Sequence, residues 1–292
     1  MVNFSQMKRK EINRGEFLKL FSSSVAISAA GCCTSRCGRS KPRYGLQLYS
    51  INKIFWQSPE KILASLKAGG FDGVEFYNYG GKTAKQMRKM CADAGLAAIG
   101  THLNGDVSLV GDELKKTLDF AAEAGFESLV TPHAMRKSAD EYKKFGCAMG
   151  QAAEAAASYG IKVGIHSTYH HFTTKFDGMT AWDAIYSEAS DLLQQQIDTG
   201  NTFHTGADLV AILKKYPGRH HSIHAKENVP TVDGVFGVPP TDGGKCVPWK
   251  EVISYMQTET SQKWWIVEAE GKPASLDPSF SCLRKLKEWC DC

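Results

Sequence analysis

Along residues 44–288, short apolar runs alternate with longer stretches in which apolar residues recur at helical spacing. The first pattern predicts buried strands and the second predicts amphipathic helices. Strands are expected at 44–49 (YGLQLY), 73–77, 97–102, 128–131, 161–166, 194–198, 221–224 and 264–268. Helices are expected from Ser58 onward and over 83–94, 112–124, 139–159, 180–190, 207–215, 249–257 and 278–288. Ser58 and Pro59 open the first helix as N-cap and first residue, while Gly95, Gly125 and Gly160 close later ones. Eight strands, each followed by a helix, are the arithmetic of an α/β chain folded as a single-domain (β/α)8 TIM barrel. A doubly wound sheet is the alternative, but no Gly-rich phosphate loop follows the first strand.

The length of 292 residues suits one such barrel. With 42% apolar and 23% charged residues, the composition is globular and excludes disordered, collagen-like and coiled-coil chains. The body of the chain has no apolar run of about 18 residues, the length a membrane-spanning helix needs. The net charge of +4 is concentrated at the N-terminus. There Lys8, Arg9, Lys10, Arg14 and Lys19 stand against Glu11 and Glu16, which leaves about +1 for the remainder. A body this close to neutral, without a Lys/Arg cluster, argues against a nucleic-acid partner.

Residues 1–31 have the shape of an export signal: a basic segment from Lys8 to Arg14, an apolar stretch from Phe17 to Ala30, then Ala29-Ala30-Gly31-Cys32. Arg14 to Lys19 resembles a twin-arginine signal with Gly15 in place of the second arginine. The Ala-Ala-Gly-Cys stretch resembles a lipoprotein cleavage box, with Ala29 where Leu is commoner. Export would put the protein in the periplasm or, with a lipid on Cys32, tether it to a membrane. An uncleaved amphipathic helix is the alternative. Residues 32–43 read as a linker and 44–292 as the barrel. Of the nine cysteines, none forms zinc-finger spacing with a second pair, and Cys91 and Cys147 are expected as buried free thiols.

Barrel enzymes carry their chemistry at the C-terminal ends of the strands. Those ends fall at Tyr49, Glu75, His102, His133 (just past strand four), His166, Asp198, His224 and Glu268. Buried strand ends filled by chance would be mostly apolar, so this convergence points to a site. Asp198, His224 and Glu268 stand on adjacent strands and form a mixed oxygen and nitrogen set suited to one divalent ion: Mn, Co, Zn or Mg.

From Tyr44 onward the chain resembles the sugar phosphate isomerase/epimerase family, the xylose isomerase-like barrels. The resemblance is carried by YGLQLYS, GFDGVEFYNYGG, GTHLN, IDTGNTFHTGADLVAILKKYPGRHHSIHAKE, VPWKEV and WWIVEAEG. It implies a metal held by Asp198 on strand six, His224 on strand seven and Glu268 on strand eight, with a fourth ligand from strand five. At strand five the family pattern Tyr-His-Asn-His-x-x-Glu-Phe is replaced by Ile165-His166-Ser167-Thr168-Tyr169-His170-His171-Phe172. Either His166 or His171 then supplies that ligand. The family mechanism often uses two glutamates on opposite faces of the sugar, and the missing strand-five glutamate departs from it. Histidine can act as a base because its pKa lies near neutrality.

The implied activity is removal of a proton next to a carbonyl through an enediolate on a sugar or keto-sugar, with export favouring an unphosphorylated one. Return of the proton to the neighbouring carbon gives an isomerase, and return to the other face gives an epimerase. Loss of a substituent gives a lyase or hydratase, for which 3-keto-glycosides are the substrates to consider. The candidate catalytic groups are Glu268, Glu75, His171 and Lys226, with an ion pair to Glu227 as the alternative role for Lys226. The candidate substrate binders are Tyr49, His102, His133 and Asn201, with Trp56, Phe76 and Tyr77 as further stacking surfaces. The Gly- and Pro-rich stretch 228–248 is expected to be a lid. A non-catalytic sugar-binding barrel is a rival reading, the near-neutral body argues against a related DNA-cleaving barrel, and the oligomeric state stays open.

Overall fold

The computed structural model describes residues 41–132, 135–228, 234–239, 243–259, 264–269, 271 and 273–291. The segment expected to be an export signal (1–31), the expected linker up to residue 40 and His133 lie outside the described residues. The eight barrel strands are β1 (Arg43–Gln47), β2 (Gly73–Phe76), β3 (Ala97–His102), β4 (Ser128–Thr131), β5 (Lys162–His166), β6 (Gln194–Gln196), β7 (Ser222–Ala225) and β8 (Trp264–Val267). All pair in parallel, in the order β6-β5-β4-β3-β2-β1-β8-β7. The ring closes between β6 and β7 through a parallel bridge of Asp198 with His224, whose N–H donates to the Ile197 carbonyl at 2.9 Å. The structure is thus the expected (β/α)8 barrel, and two predicted site residues form its closing seam.

Strand alternation sorts the side chains. Leu46, Val74, Leu129, Val163, Ile165, Ile197, Ile223 and Val267 are fully buried and belong to the main core that the helices cover. Ile99, Trp264 and Ile266 form a separate buried cluster that plugs the interior of the barrel. Above that plug the inward positions are polar: Gln47, Glu75, His166, Gln196 and His224 are all buried. Backbones crowd around the plug. At Gly100 a Cβ atom would collide with the carbonyl oxygen of Ser128 on the adjacent strand, so only glycine fits.

The helices are α1 (Pro59–Ala68), α2 (Ala84–Asp93), α3 (Gly111–Ala124), α4 (Ala139–Ala157), α5 (Tyr169–Thr173), α6 (Ala181–Tyr186), α7 (Thr199–His204), α8 (Leu209–Lys215), α9 (Trp249–Met256) and α10 (Asp277–Asp291). The starts follow local capping chemistry. Thr83 and Gln86 form a reciprocal capping box at α2, and Ser138 accepts from Glu141 N–H at α4. Cys91 is buried as expected, whereas Cys147 is only half-buried.

Three expectations need correction. Strand β1 ends at Gln47 rather than Tyr49, because the Gln47 side chain accepts from Tyr49 N–H at 3.1 Å and starts a 3-10 turn over Leu48–Ile51. Tyr49 is therefore not a strand end; it is half exposed and meets Tyr77 edge-on at 5.5 Å. After β6 an extra helix, α7, starts at once because Asp198 Oδ1 accepts from Asn201 N–H at 2.7 Å. Finally, the described parts of 228–248 are pinned rather than lid-like. The buried Glu227 carboxylate accepts from the N–H groups of Asn228, Gly237 and Val247 and from the Trp249 indole, at 2.7–2.9 Å. Phe236, fully buried, packs on Trp249 at 4.6 Å.

The crowding at Gly100 makes a prediction. Gly100→Ala should cost about 1–3 kcal/mol, because relief requires separating β3 from β4. A urea unfolding midpoint equal to that of the parent protein would show that the strands can part freely.

Candidate functional site

Four strand ends converge at the mouth of the barrel. His166 ends β5, Asp198 and Glu268 directly follow β6 and β8, and His224 lies within β7. Each offers a ligand atom, and those atoms all lie within 4.8 Å of one another. Of the two strand-five histidines, His166 is in this group and His171 is not. Instead, His171 Nδ1 accepts from Thr168 N–H at 3.0 Å and its ring packs 5.2 Å from Trp182, so it caps α5. His171 stands where the family pattern has glutamate, and here that position serves the helix start.

His224 sits between two carboxylates. Its Nδ1 lies 2.5 Å from Glu268 Oε2 and its Nε2 lies 2.6 Å from Glu75 Oε2. Burial alone would discharge this ring, but Glu75 and Glu268 outweigh it and push its pKa up to about 10. For Glu75, burial works upward, yet His102 and His224 hold the carboxyl well below its usual range. Glu268 behaves likewise: burial opposes ionisation, and Lys226 followed by His224 overcomes it. Lys226 Nζ donates to Glu268 Oε1 at 3.0 Å and lies 3.7 Å from Asp198 Oδ2. Its partner is thus Glu268 and not the neighbouring Glu227.

Asp198 is the under-compensated member. It is fully buried, and while Oδ1 caps α7, Oδ2 has no hydrogen-bond partner. Burial pushes its pKa up to about 6, only partly offset by Lys226. His166 is also fully enclosed, and burial followed by its imidazole neighbours lowers its pKa well below the ordinary value. It therefore stays neutral, as a metal ligand must. An unpaired carboxylate oxygen, a neutral imidazole and the Glu268 carboxylate fit a divalent cation of the borderline type, and His224 would join them by giving up the proton it shares with its two carboxylate neighbours.

The remaining expected residues fall around this group. Glu75 lies below it, fully buried, and is held by Gln47, Gln196 and His224. His102 is half-buried beside it, with Nε2 2.8 Å from Gln196 Oε1 and its ring 5.2 Å from that of His224. Asn201 sits on α7 next to Asp198, to which it donates its backbone N–H. Tyr49 is on the 3-10 turn after β1, where its ring meets Tyr77. The residues missed at the sequence level are Gln47, Gln196 and Ser167. Ser167 Oγ accepts from Asp198 N–H at 2.8 Å and so fixes the entry to α7. The signal for Gln196 was present as a polar Gln194-Gln195-Gln196 run at a position that had to be a buried strand.

A model of the xylose isomerase-like TIM barrel matches residues 63–286. The chain belongs to that family. Its curated relatives include the inosose dehydratase of Clostridium beijerinckii, 25% identical over 51% of this chain and 53% of that protein. The chain thus matches about half the length of that relative. Solved structures with the same fold include a sugar phosphate isomerase/epimerase from Parabacteroides distasonis, with a TM-score of 0.70 at 20% identity over 87% of this chain and 94% of the other. They also include D-allulose 3-epimerase from Methylomonas sp. in complex with D-allulose, with a TM-score of 0.64 at 14% identity over 85% and 96%.

The state of Asp198 has a measurable consequence. A carboxylate whose pKa is raised on folding binds more protons in the folded state, so stability is lost as pH rises through about 4–6. Asp198→Asn keeps an oxygen to cap α7 and removes that cost. The metal-free variant should therefore be more stable than the parent by about 1–3 kcal/mol at pH 7.5, with the gap narrowing toward pH 4. Thermal melts at both pH values check this, and a variant less stable at pH 7.5 would contradict it.

Proposed function

We propose that this chain is a divalent-metal-dependent enzyme that removes the proton next to a carbonyl in an unphosphorylated sugar or keto-sugar. Isomerisation or epimerisation is the leading outcome. The observation that carries the reading is Asp198 Oδ2, a buried carboxylate oxygen without a hydrogen-bond partner, 3.7 Å from a neutral histidine and within a two-histidine, two-carboxylate group. His166, Asp198, His224 and Glu268 would hold the ion. When bound, it would supply Lewis-acid stabilisation of the negative charge that develops on the substrate oxygens.

The chain's own groups divide the remaining work. Glu75 lies below the ligand group, held by Gln47, Gln196 and His224, and His171 caps α5. The proton from carbon is therefore assigned to Glu268, which stands in the ligand group beside Lys226 and would take it on an oxygen not holding the ion. That proton, returned to the adjacent carbon, gives the isomer. Returned to the opposite face, it gives the epimer. Lys226 Nζ, bonded to Glu268, can hand a proton to a substrate oxygen. This ammonium supports the second reading, dehydration: a β-hydroxyl protonated by Lys226 leaves as water while the carbon proton stays on Glu268. The similarity to inosose dehydratases favours the same outcome. The choice of an unphosphorylated substrate rests on the export reading of residues 1–31.

All three outcomes share the first step, so exchange tests them together. Metal-loaded protein incubated with ketoses, 3-keto-glucosides and inososes in D2O should replace hydrogen by deuterium next to the carbonyl, as read by proton NMR. The products then distinguish isomer, epimer and dehydrated ketone. Exchange absent across the panel, with sugar binding intact, would leave a sugar-binding barrel instead. Lys226→Met should lower kcat by about 10²–10⁴-fold, the usual contribution of a general acid, with metal content unchanged. A kcat within a factor of about two of the parent would exclude Lys226 from proton transfer.

A further inference from the structure

We infer that Gln196 is a positioning residue: its side-chain oxygen holds the His166 proton on Nδ1 and so presents the Nε2 lone pair to the ion. The inference rests on the metal reading proposed above and goes beyond it by naming what prepares the strand-five ligand.

His166 and Gln196 are register partners on β5 and β6, so their side chains share the inner face of the barrel. The Gln196 amide has neighbours on both ends. Its Nε2 lies 2.8 Å from Glu75 Oε1 and 3.0 Å from Ser222 Oγ. Its Oε1 lies 3.1 Å from His166 Nδ1 and 2.8 Å from His102 Nε2. An ionised carboxylate only accepts, so the amide nitrogen must face Glu75. The opposite orientation would set two oxygens at 2.8 Å. The amide oxygen therefore faces the imidazoles, and an oxygen without a proton requires each of those ring nitrogens to donate.

For a neutral His166, a proton on Nδ1 leaves the lone pair on Nε2. That nitrogen is on the side of the ligand group, 3.7 Å from Asp198 Oδ2. Histidine ligands are generally oriented by a hydrogen bond from their other nitrogen, often to a carboxylate. Here glutamine takes that place for a stated reason: a carboxylate at 196 would stand against Glu75, and two like charges at that distance are costly out of water. Glu75 is itself fixed from the far side by Gln47 Nε2 at 2.7 Å, so the amide cannot turn. Gln194 and Gln195 do not share this task. Gln195 accepts from the Trp182 indole and donates to the Tyr216 carbonyl, and Gln194 donates to the Leu192 carbonyl.

The test uses the full chain, metal-free, with ¹⁵N-labelled histidine. The His166 signals are assigned by their loss in His166→Gln. Long-range ¹H–¹⁵N correlation spectra should show the parent His166 as the Nδ1–H tautomer. In Gln196→Met, similar in size but without the acceptor, the signal should move to the Nε2–H form that free imidazole side chains favour. Zn²⁺ or Co²⁺ dissociation constants by competition with a chelating dye should rise about 10–100-fold in the variant. An Nε2–H tautomer in the parent overturns the inference without needing any variant. An unchanged tautomer and an unchanged dissociation constant in Gln196→Met overturn it as well. A parent protein that binds neither ion removes the metal reading, and the tautomer spectra then still decide what Gln196 does to His166.

Discussion

Three carboxylates, Glu75, Asp198 and Glu268, are held out of water at the mouth of one barrel, and much of the local architecture answers that constraint. A buried carboxylate is expensive unless a counter-charge and hydrogen bonds replace its hydration. His224 serves Glu75 with one nitrogen and Glu268 with the other, and Lys226 serves Glu268 again. Two cationic side chains thus answer two carboxylates. Asp198 is left with an unpartnered oxygen, and its pKa rises accordingly. The deficit lies on the residue whose backbone joins β6 to β7 and whose side chain starts α7, so barrel closure holds it in place.

The scaffold makes such a cluster tolerable by separating two jobs. Outward strand positions and the helices form the main apolar core, while Ile99, Trp264 and Ile266 fill the barrel below the polar layer. The plug lets β1 to β4 approach closely around glycines without leaving a void under Glu75. Away from the mouth, Glu227 does for the long segment after β7 what His224 does for the site. One buried carboxylate gathers three backbone N–H groups and an indole, turning the described parts of a Gly- and Pro-rich stretch into a wall. Composition alone cannot distinguish such a wall from a lid, because glycine and proline serve both.

The barrel and the core of the site were legible because both depend on residue type at fixed spacing. Alternating strand and helix patterns yielded the fold, and ionisable strand ends yielded Asp198, His224, Glu268, His166 and Glu75 as one constellation. What was not legible depends on side chains that bond to backbone. Gln47 ends β1 early by accepting from Tyr49, which moves Tyr49 off the strand end. His171 caps a helix that periodicity over so few residues cannot reveal. Gln196 looked like an unremarkable polar residue until three strands brought Glu75, His102 and His166 around it. The choice between His166 and His171 rests on the same kind of fact: one ends a strand facing inward, and the other belongs to the helix after it.

On the proposed reading, the substitution of the strand-five glutamate changes the charge of the site rather than merely its shape. Two liganding carboxylates, Asp198 and Glu268, would neutralise a dication, where a third liganding carboxylate in place of a neutral histidine would leave a net negative charge. With His166 and His224 as neutral donors, Lys226 then balances the remaining Glu75 carboxylate, so the group as a whole would be close to neutral. An ion and the Lys226 ammonium beside the substrate oxygens, with Glu75 set below His224, would still favour an anion there, and the species to be favoured is the enediolate left after proton removal. The arrangement therefore trades a second general base, which epimerisation across both faces would use, for stronger stabilisation of the anion and an acid next to it. That balance suits reactions in which one proton leaves carbon and an oxygen is then protonated, the demand shared by isomerisation and by loss of water.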